Sequence, residues 1–385
     1  MAVEQYFAPC PRGLEALLTE DLVVTGAREV KPVPGGVMFR GDWETCYRAN
    51  LESRLATRIL WRRARGDYEN ENDVYELALG VDWPKLFDVD ATLRVNVTAQ
   101  KSRLKSLEFV TLRVKDAICD RFRDACGRRP SVDTRNPDVR VHLFLTADEA
   151  TLYVDTSGEP LYQRGHKIAK VGAPLKENLA AGILKLAGWQ PGVPLLDPMC
   201  GSGTFLIEAA QMALDDAPGL SREPGDFGFE RLANFDADLW RRLKAEAAER
   251  RDEASALPIW GSDLDADSVA RARQNLAHAG LDDLVTLECA DVLERTAPAP
   301  EGILVANPPY GERLASGEEL AAFYPRLGDA LKKRFAGWRC YLLSADTQLP
   351  KLIGLKPSKK TPLFNGPLEC RLYEFVIVAG SHRKP

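Results

Sequence analysis

Residues 303–310 read Ile-Leu-Val-Ala-Asn-Pro-Pro-Tyr, and this stretch limits the fold more than any other. Four apolar residues, two of them β-branched, suit a buried parallel strand. Two prolines then stop it, because neither can donate to a sheet ladder. Asn307 and Tyr310 are thereby placed on a stiff turn at the carboxyl end of a strand, the edge where open α/β sheets bind ligands. The Asn307 side-chain oxygen and the Pro308 carbonyl are two acceptors that could hold both N–H bonds of an exocyclic amine. Tyr310 could stack on the ring that carries the amine. The competing reading is a strand that simply ends at Pro308-Pro309, with Tyr310 in the core.

A second stretch, 193–204, reads Val-Pro-Leu-Leu-Asp-Pro-Met-Cys-Gly-Ser-Gly-Thr. The pattern predicts a strand ending at Asp197, a glycine loop, and a helix beginning near Thr204. Glycines 201 and 203 let a ligand approach the backbone, and a helix N-terminus favours a carboxylate. The third glycine of the dinucleotide fingerprint is absent, which argues against an oxidoreductase. Residues 259–263 form a short strand ending in Asp263, whose carboxylate can accept from two vicinal hydroxyls. Asp265 reads better as the cap of a helix over 267–279. A further strand over 285–291 ends in Asp291. Asp197, Asp263, Asp291 and Asn307 are therefore expected to end four strands at one edge of one sheet.

The chain has 385 residues, 45% of them hydrophobic, enough for two or three cores. Its net charge is −5, but residues 1–170 hold 26 Lys+Arg against 26 Asp+Glu, so the acidity lies in the C-terminal part. No stretch has the apolar length of a membrane span, and the N-terminus lacks a signal-peptide pattern. Eight scattered cysteines without a Cys-x-x-Cys pair, and four histidines, predict neither a metal site nor a disulfide framework. A cytosolic protein with reduced thiols is expected.

Toward the N-terminus, strands at 3–8 and 36–40 flank a helix over 13–25, and Pro-Val-Pro-Gly-Gly at 32–36 reads as a turn. Residues 42–65 read as one long helix that puts Arg54, Arg58 and Arg62 on a single face. That stripe suits RNA phosphates, with a solvated helix face as the rival. Then follow a helix, a strand over 93–98, a basic loop with Lys101, Arg103 and Lys105, a long helix to about Arg123, and strands over 139–146 and 149–156.

This plan resembles a THUMP RNA-binding domain fused to a methyltransferase. Residues 97–105 (Val-Thr-Ala-Gln-Lys-Ser-Arg-Leu-Lys) are similar to the THUMP strand and basic loop. Leu161-Tyr162-Gln163-Arg164-Gly165-His166-Lys167 resembles the family's linker, with His166 and Lys167 where the family often has an aromatic residue and Arg. Asp197–Thr204 resembles the S-adenosylmethionine loop of class I methyltransferases. The stretches 227–240 and 364–372 resemble those of bacterial large-subunit (23S) ribosomal RNA guanine-N2 methyltransferases.

The resemblance implies an α/β, class I (Rossmann-like) methyltransferase sheet with an N-terminal α+β THUMP-containing region. Its segments would be a small unit over 1–45, a THUMP domain over 46–156, a linker over 157–172 and a methyltransferase domain over 173–385. It implies S-adenosylmethionine held by Asp197, Met199, Cys200, Gly201, Ser202, Gly203, Thr204, Asp263, Asp291 and Asn307. The catalytic set would be Asn307, Pro308, Pro309 and Tyr310. Ribosomal RNA would be held by Arg54, Arg58, Arg62, Lys101, Arg103, Lys105, Arg164 and Lys167. Cys200 reads as a small buried residue rather than a nucleophile, and Glu312 is a candidate reader of guanine N1–H. A transfer-RNA guanine, or a non-catalytic assembly factor with a vestigial pocket, are the rival readings.

Overall fold

Alternating side chains build the N-terminal sheet. β1 (Glu4–Pro9) buries Tyr6 and Ala8 on one face and leaves Gln5 and Phe7 half-exposed on the other. The computed structural model describes residues 3–166, 175–308 and 317–378. The chain divides into two units, Met1–Cys10 with Leu18–Leu161 and Arg222–Glu246, and Pro11–Leu17 with Tyr162–Ser221 and Ala247–Pro385.

After β1 come α1 (Glu15–Val24), β2 (Arg28–Val33), β3 (Gly36–Gly41), α2 (Trp43–Glu52) and β4 (Leu60–Asp67). The first unit continues with α3 (Glu71–Leu79), β5 (Leu93–Ala99), α4 (Leu107–Cys126), β6 (Val139–Leu145) and β7 (Glu149–Asp155). Its seven strands run in the order β2-β3-β1-β4-β7-β6-β5. All neighbours are antiparallel except β5 and β6. One face is filled near β1 by Tyr6, Phe39, Trp43 and Trp61, with the last two rings 4.8 Å apart. Near β5 it is covered by Val110, Val114, Ile118 and Phe122 of α4.

The single helix expected over 42–65 is two elements. Asp42 caps α2 by accepting from the Thr45 amide at 3.0 Å. The helix stops where the Asp21 carboxylate accepts from Ser53 Oγ (2.7 Å) and the Arg54 amide (3.1 Å). The Ile-Leu-Trp run that follows then enters the sheet, as β-branched and aromatic residues favour. Arg54, Arg58 and Arg62 therefore share no helix face. Arg54 is buried at 8% exposure, and Arg58 binds the Asp155 carboxylate and the Gly158 carbonyl. Arg62 lies on β4. The expected turn at 32–36 shrinks to Pro34-Gly35, because β2 runs through Val33 and pairs with β3.

Residues 222–246 pack with the first unit. Tyr47 of α2 stacks on Phe229 at 4.4 Å and meets Phe235 and Trp240 edge-on. The Tyr47 hydroxyl accepts from the Asp236 amide at 3.0 Å, and Arg48 pairs with Glu246 at 2.7 Å.

The second unit comprises α5 (Glu177–Leu186), β8 (Leu195–Asp197), α6 (Thr204–Ala213), β9 (Ile259–Asp263), α8 (Ala266–His278), β10 (Thr286–Cys289), β11 (Gly302–Ala306), α9 (Gly317–Arg334), β12 (Trp338–Ser344), α10 (Leu349–Leu352), β13 (Lys359–Asn365) and β14 (Leu368–Val376). Between α6 and β9 lies α7 (Ala237–Glu249), which begins in the first unit. The strand order is β10-β9-β8-β11-β12-β14-β13, parallel through β12 and antiparallel thereafter. Chain order reverses between β8 and β11, so their carboxyl ends flank a topological switch point. Leu196, Leu304, Leu342, Tyr324, Leu331, Phe335 and Trp338 fill one face of this sheet. On the other, a Cβ on Gly261 would overlap Leu206, so glycine there lets α6 lie close on β9. β13 forms the edge of this sheet. Its Lys359, Lys360 and Pro362 suit an exposed edge and hide the usual apolar alternation.

Candidate active site

The four polar strand ends meet as the topology requires. β10, β9, β8 and β11 are neighbours, and their carboxyl ends lead to Asp291, Asp263, Asp197 and Asn307. Asp197 is 2% exposed, and its Oδ1 accepts from the Met199 amide at 3.2 Å. Burial, assisted by the charge of Asp263, pushes its carboxyl well above the usual range despite that hydrogen bond. A buried carboxylate in this position favours a cation.

Asp263 shapes the glycine loop. Its Oδ2 accepts from the Gly201 amide at 2.9 Å and its Oδ1 from the Asp265 amide at 3.1 Å. The loop is also held by the Cys200 amide on Ser262 O (2.9 Å) and by Asn275 Nδ2 on Ser202 O (3.0 Å). Gly201 and Gly203 have φ of 53° and 81°, which side-chain-bearing residues rarely adopt. A Cβ on Gly203 would also press on Ala272 at 3.3 Å. Cys200, Ser202 and Thr204 are each 6% exposed, so the loop presents mainly backbone. Burial raises the Cys200 thiol, which leaves it protonated and unfit as a nucleophile.

Asp265 is the N-cap of α8, accepting from the Asp267 and Ser268 amides at 3.2 and 3.1 Å. Asp291 accepts from the Leu293 amide at 2.9 Å and lines a cleft of about 360 Å³ with Trp260, Glu288 and Arg295. Leu264, between the two aspartates, is 71% exposed, a large apolar side chain at the sheet's ligand edge. Sequence reasoning passed over it and over Asn275. An apolar residue directly after a strand-ending carboxylate, and an asparagine on the buried side of α8, were the available signals. The buried Oδ1 of Asn307 has no hydrogen-bond partner among the described residues. Pro309, Tyr310, Glu312 and Lys167 lie outside the described residues.

The structure removes Arg164 from the RNA-facing set. Its Nε donates to Glu208 Oε1 at 2.6 Å and its Nη2 to Oε2 at 3.1 Å, and both side chains are at most 1% exposed. Ser221 Oγ donates to the Arg164 carbonyl at 2.7 Å. The arginine therefore ties the segment before α5 to α6. Glu208 in the middle of an otherwise apolar helix was the sequence sign of that pairing. By contrast, Lys101, Arg103 and Lys105 form no ion pair among the described residues.

Comparisons with known proteins agree with this geometry. Residues 164–374 match the model of the RMKL-like methyltransferase domain, residues 68–155 that of the THUMP domain, and residues 5–60 that of the RlmL ferredoxin-like domain. The chain belongs to the RMKL-like methyltransferase family. A Synechocystis sp. protein whose name assigns it RNA methyltransferase activity is 40% identical over 372 residues, 97% of this chain and 96% of that one. A methyltransferase crystallised with S-adenosylhomocysteine superposes with a TM-score of 0.89 at 30% identity, covering 99% of this chain and all of the other. A Listeria monocytogenes protein described as an N6-adenine-specific DNA methylase has a TM-score of 0.87 at 32% identity, covering 98% and 97%. This RMKL-like chain is thus a THUMP-containing RNA methyltransferase that uses S-adenosylmethionine. None of its described helices is long and apolar enough to cross a membrane.

Proposed function

We propose that the enzyme methylates the exocyclic N2 amine of a guanine in large-subunit (23S) ribosomal RNA, in the cytoplasm. The observation that carries the amine is the buried Oδ1 of Asn307, which has no partner among the described residues, at the end of β11 beside the switch point. A buried acceptor without a donor costs about 1–3 kcal/mol, which a substrate N–H would recover. The matches to the THUMP and RlmL ferredoxin-like models favour ribosomal RNA over DNA or protein, and the stretches at 227–240 and 364–372 favour guanine.

The residues present fit the cofactor. Buried Asp197 supplies the charge that a methionine ammonium lacks a partner for, and the loop at 199–203 offers backbone at close range. Asp263 keeps lone pairs for the ribose hydroxyls, and Asp291 and exposed Leu264 suit the adenine edge and face. S-adenosylmethionine supplies a methyl group already activated on a sulfonium. The chain's part is positioning. Asn307 Oδ1 and the Pro308 carbonyl accept the two amine N–H bonds and draw the nitrogen toward a tetrahedral shape. Its lone pair, otherwise conjugated with the ring, then points at the methyl carbon. In this arrangement the nitrogen would take the methyl group from the sulfonium, and the proton that becomes acidic on nitrogen would leave to water. A base within a helix must first turn out of its stack.

The test is incubation with labelled cofactor and undermethylated ribosomal RNA, then nucleoside digestion and mass spectrometry. N2-methylguanosine as the main product supports the proposal. N6-methyladenosine would favour the activity named for the Listeria relative, and label confined to protein would overturn the RNA substrate.

A further inference from the structure

The open face of the first sheet has a function of its own to explain. Gln5 pairs with Arg40, Lys31 with Met38, and Arg62 with Tyr153, which brings these side chains together across five strands. They line a cleft of about 210 Å³, and Glu29 is the carboxylate on its wall. Glu29 pairs with Arg40 at 3.2 Å. Three cations thus meet one carboxylate.

The register shift after Arg62 in β4 separates two adjacent arginines. Arg63 lies over the Trp61 ring at 3.9 Å and pairs with Glu4 at 3.6 Å. The Arg62 side chain makes no hydrogen bond or ion pair among the described residues, and neither does that of Lys31. Tyr153, 6.1 Å from the Phe7 ring, gives the cleft an aromatic wall, and Met38 adds a soft apolar one. Unpaired cations beside a ring suit a planar base with its phosphate. An acidic peptide would use the cations and leave the ring idle.

We infer that this cleft holds one unpaired nucleotide of the RNA substrate, with Tyr153 stacking on the base and Arg62 and Lys31 neutralising the phosphates. The inference rests on the RNA-methyltransferase reading and adds a holding site remote in sequence from the catalytic motifs.

The experiment uses the full chain and a fragment of undermethylated ribosomal RNA, with anisotropy measured across a salt series. Arg62→Gln should weaken binding about tenfold and lower the salt slope by about one. Tyr153→Leu should weaken it about tenfold with the slope unchanged, and Tyr153→Phe should restore it. KM for RNA should rise while kcat at saturating RNA and calorimetric cofactor affinity hold. If wild type binds RNA and both Arg62→Gln and Tyr153→Leu stay within twofold of it, the cleft is not an RNA site. Equal losses in Tyr153→Leu and Tyr153→Phe would assign the loss to the hydroxyl rather than the ring and overturn the stacking role. Loss of labelled polyglutamate binding in these variants, with RNA binding untouched, would reassign the cleft to a protein partner. Wild type that binds no RNA would overturn the parent reading as well.

Discussion

The Gly201 amide donates to Oδ2 of Asp263 across 2.9 Å, so the carboxylate that ends β9 also sets the shape of the loop that follows β8. Removing it does two things at once. Asp263→Ala should weaken S-adenosylmethionine by more than the about 1.5–3 kcal/mol of a charge-assisted hydrogen bond, because the loop loses its brace. Asp263→Asn can still offer one oxygen to Gly201 and should fall between the two. Calorimetric titration of both variants checks this, and equal losses would assign Asp263 to ligand contact alone.

Asn307 should separate binding from chemistry. Asn307→Ala is expected to lower kcat by about a hundredfold or more, the scale of losing a positioned polar group at a reacting centre. Cofactor affinity should stay within a few-fold. A variant with near-normal turnover would take Asn307 out of the mechanism.

Asp197 carries a stability signature. Its folded pKa lies above the unfolded value of about 3.9, so its ionisation destabilises the cofactor-free protein, increasingly as pH rises from there through the folded pKa. Asp197→Asn should therefore raise the melting temperature at pH 7–8, by about 2–4 °C for each kcal/mol recovered. The gain should vanish near pH 3, and cofactor binding should be lost. A lower Tm in the variant at neutral pH would show that the carboxylate is not strained.

Arg58 and the basic loop should behave oppositely. Burial favours a neutral Asp155, but Arg58 and His142 outweigh it and hold the carboxyl below its usual range. Its stabilising contribution is present above pH of about 3.9 and is lost as pH falls through the lower folded value. Arg58→Ala should thus destabilise the protein by about 3–5 kcal/mol, the scale of orphaning a buried charge. Changing Lys101, Arg103 and Lys105 together to Ala should leave melting unchanged but flatten the salt dependence of RNA binding. Thermal melts and anisotropy on the same preparations distinguish the two.

Arg164→Ala should cost a similar amount by leaving Glu208 charged and buried, whereas joint replacement by Leu and Met should recover much of it. Denaturant unfolding of the single and double variants measures the coupling. Additive losses would show that the pair contributes little.

The catalytic sheet was legible because strand ends and glycines are local signals. Asp197, Asp263 and Asn307 each close a short apolar run, and a parallel sheet must gather such ends at one edge. The arginines were not legible, because a four-residue spacing does not reveal whether the chain stays helical. Asp21, 32 residues before Ser53, ends α2, and Asp155, 97 residues after Arg58, neutralises that arginine. Tyr47 shows the same limit. Its stacking partner Phe229 lies 182 positions later, so a fragment ending near residue 165 would lack part of its own core.

β4 joins what sequence families treat as separate pieces. The ferredoxin-like match stops at residue 60 and the THUMP match starts at 68, while β4 occupies Leu60–Asp67 and pairs with β1 on one side and β7 on the other. Inherited modules and cooperative modules therefore do not coincide here. The two matched regions should melt in a single transition. A truncation cut at either family boundary would leave an orphaned rim of unpaired N–H and C=O groups, an invitation to aggregate rather than a domain.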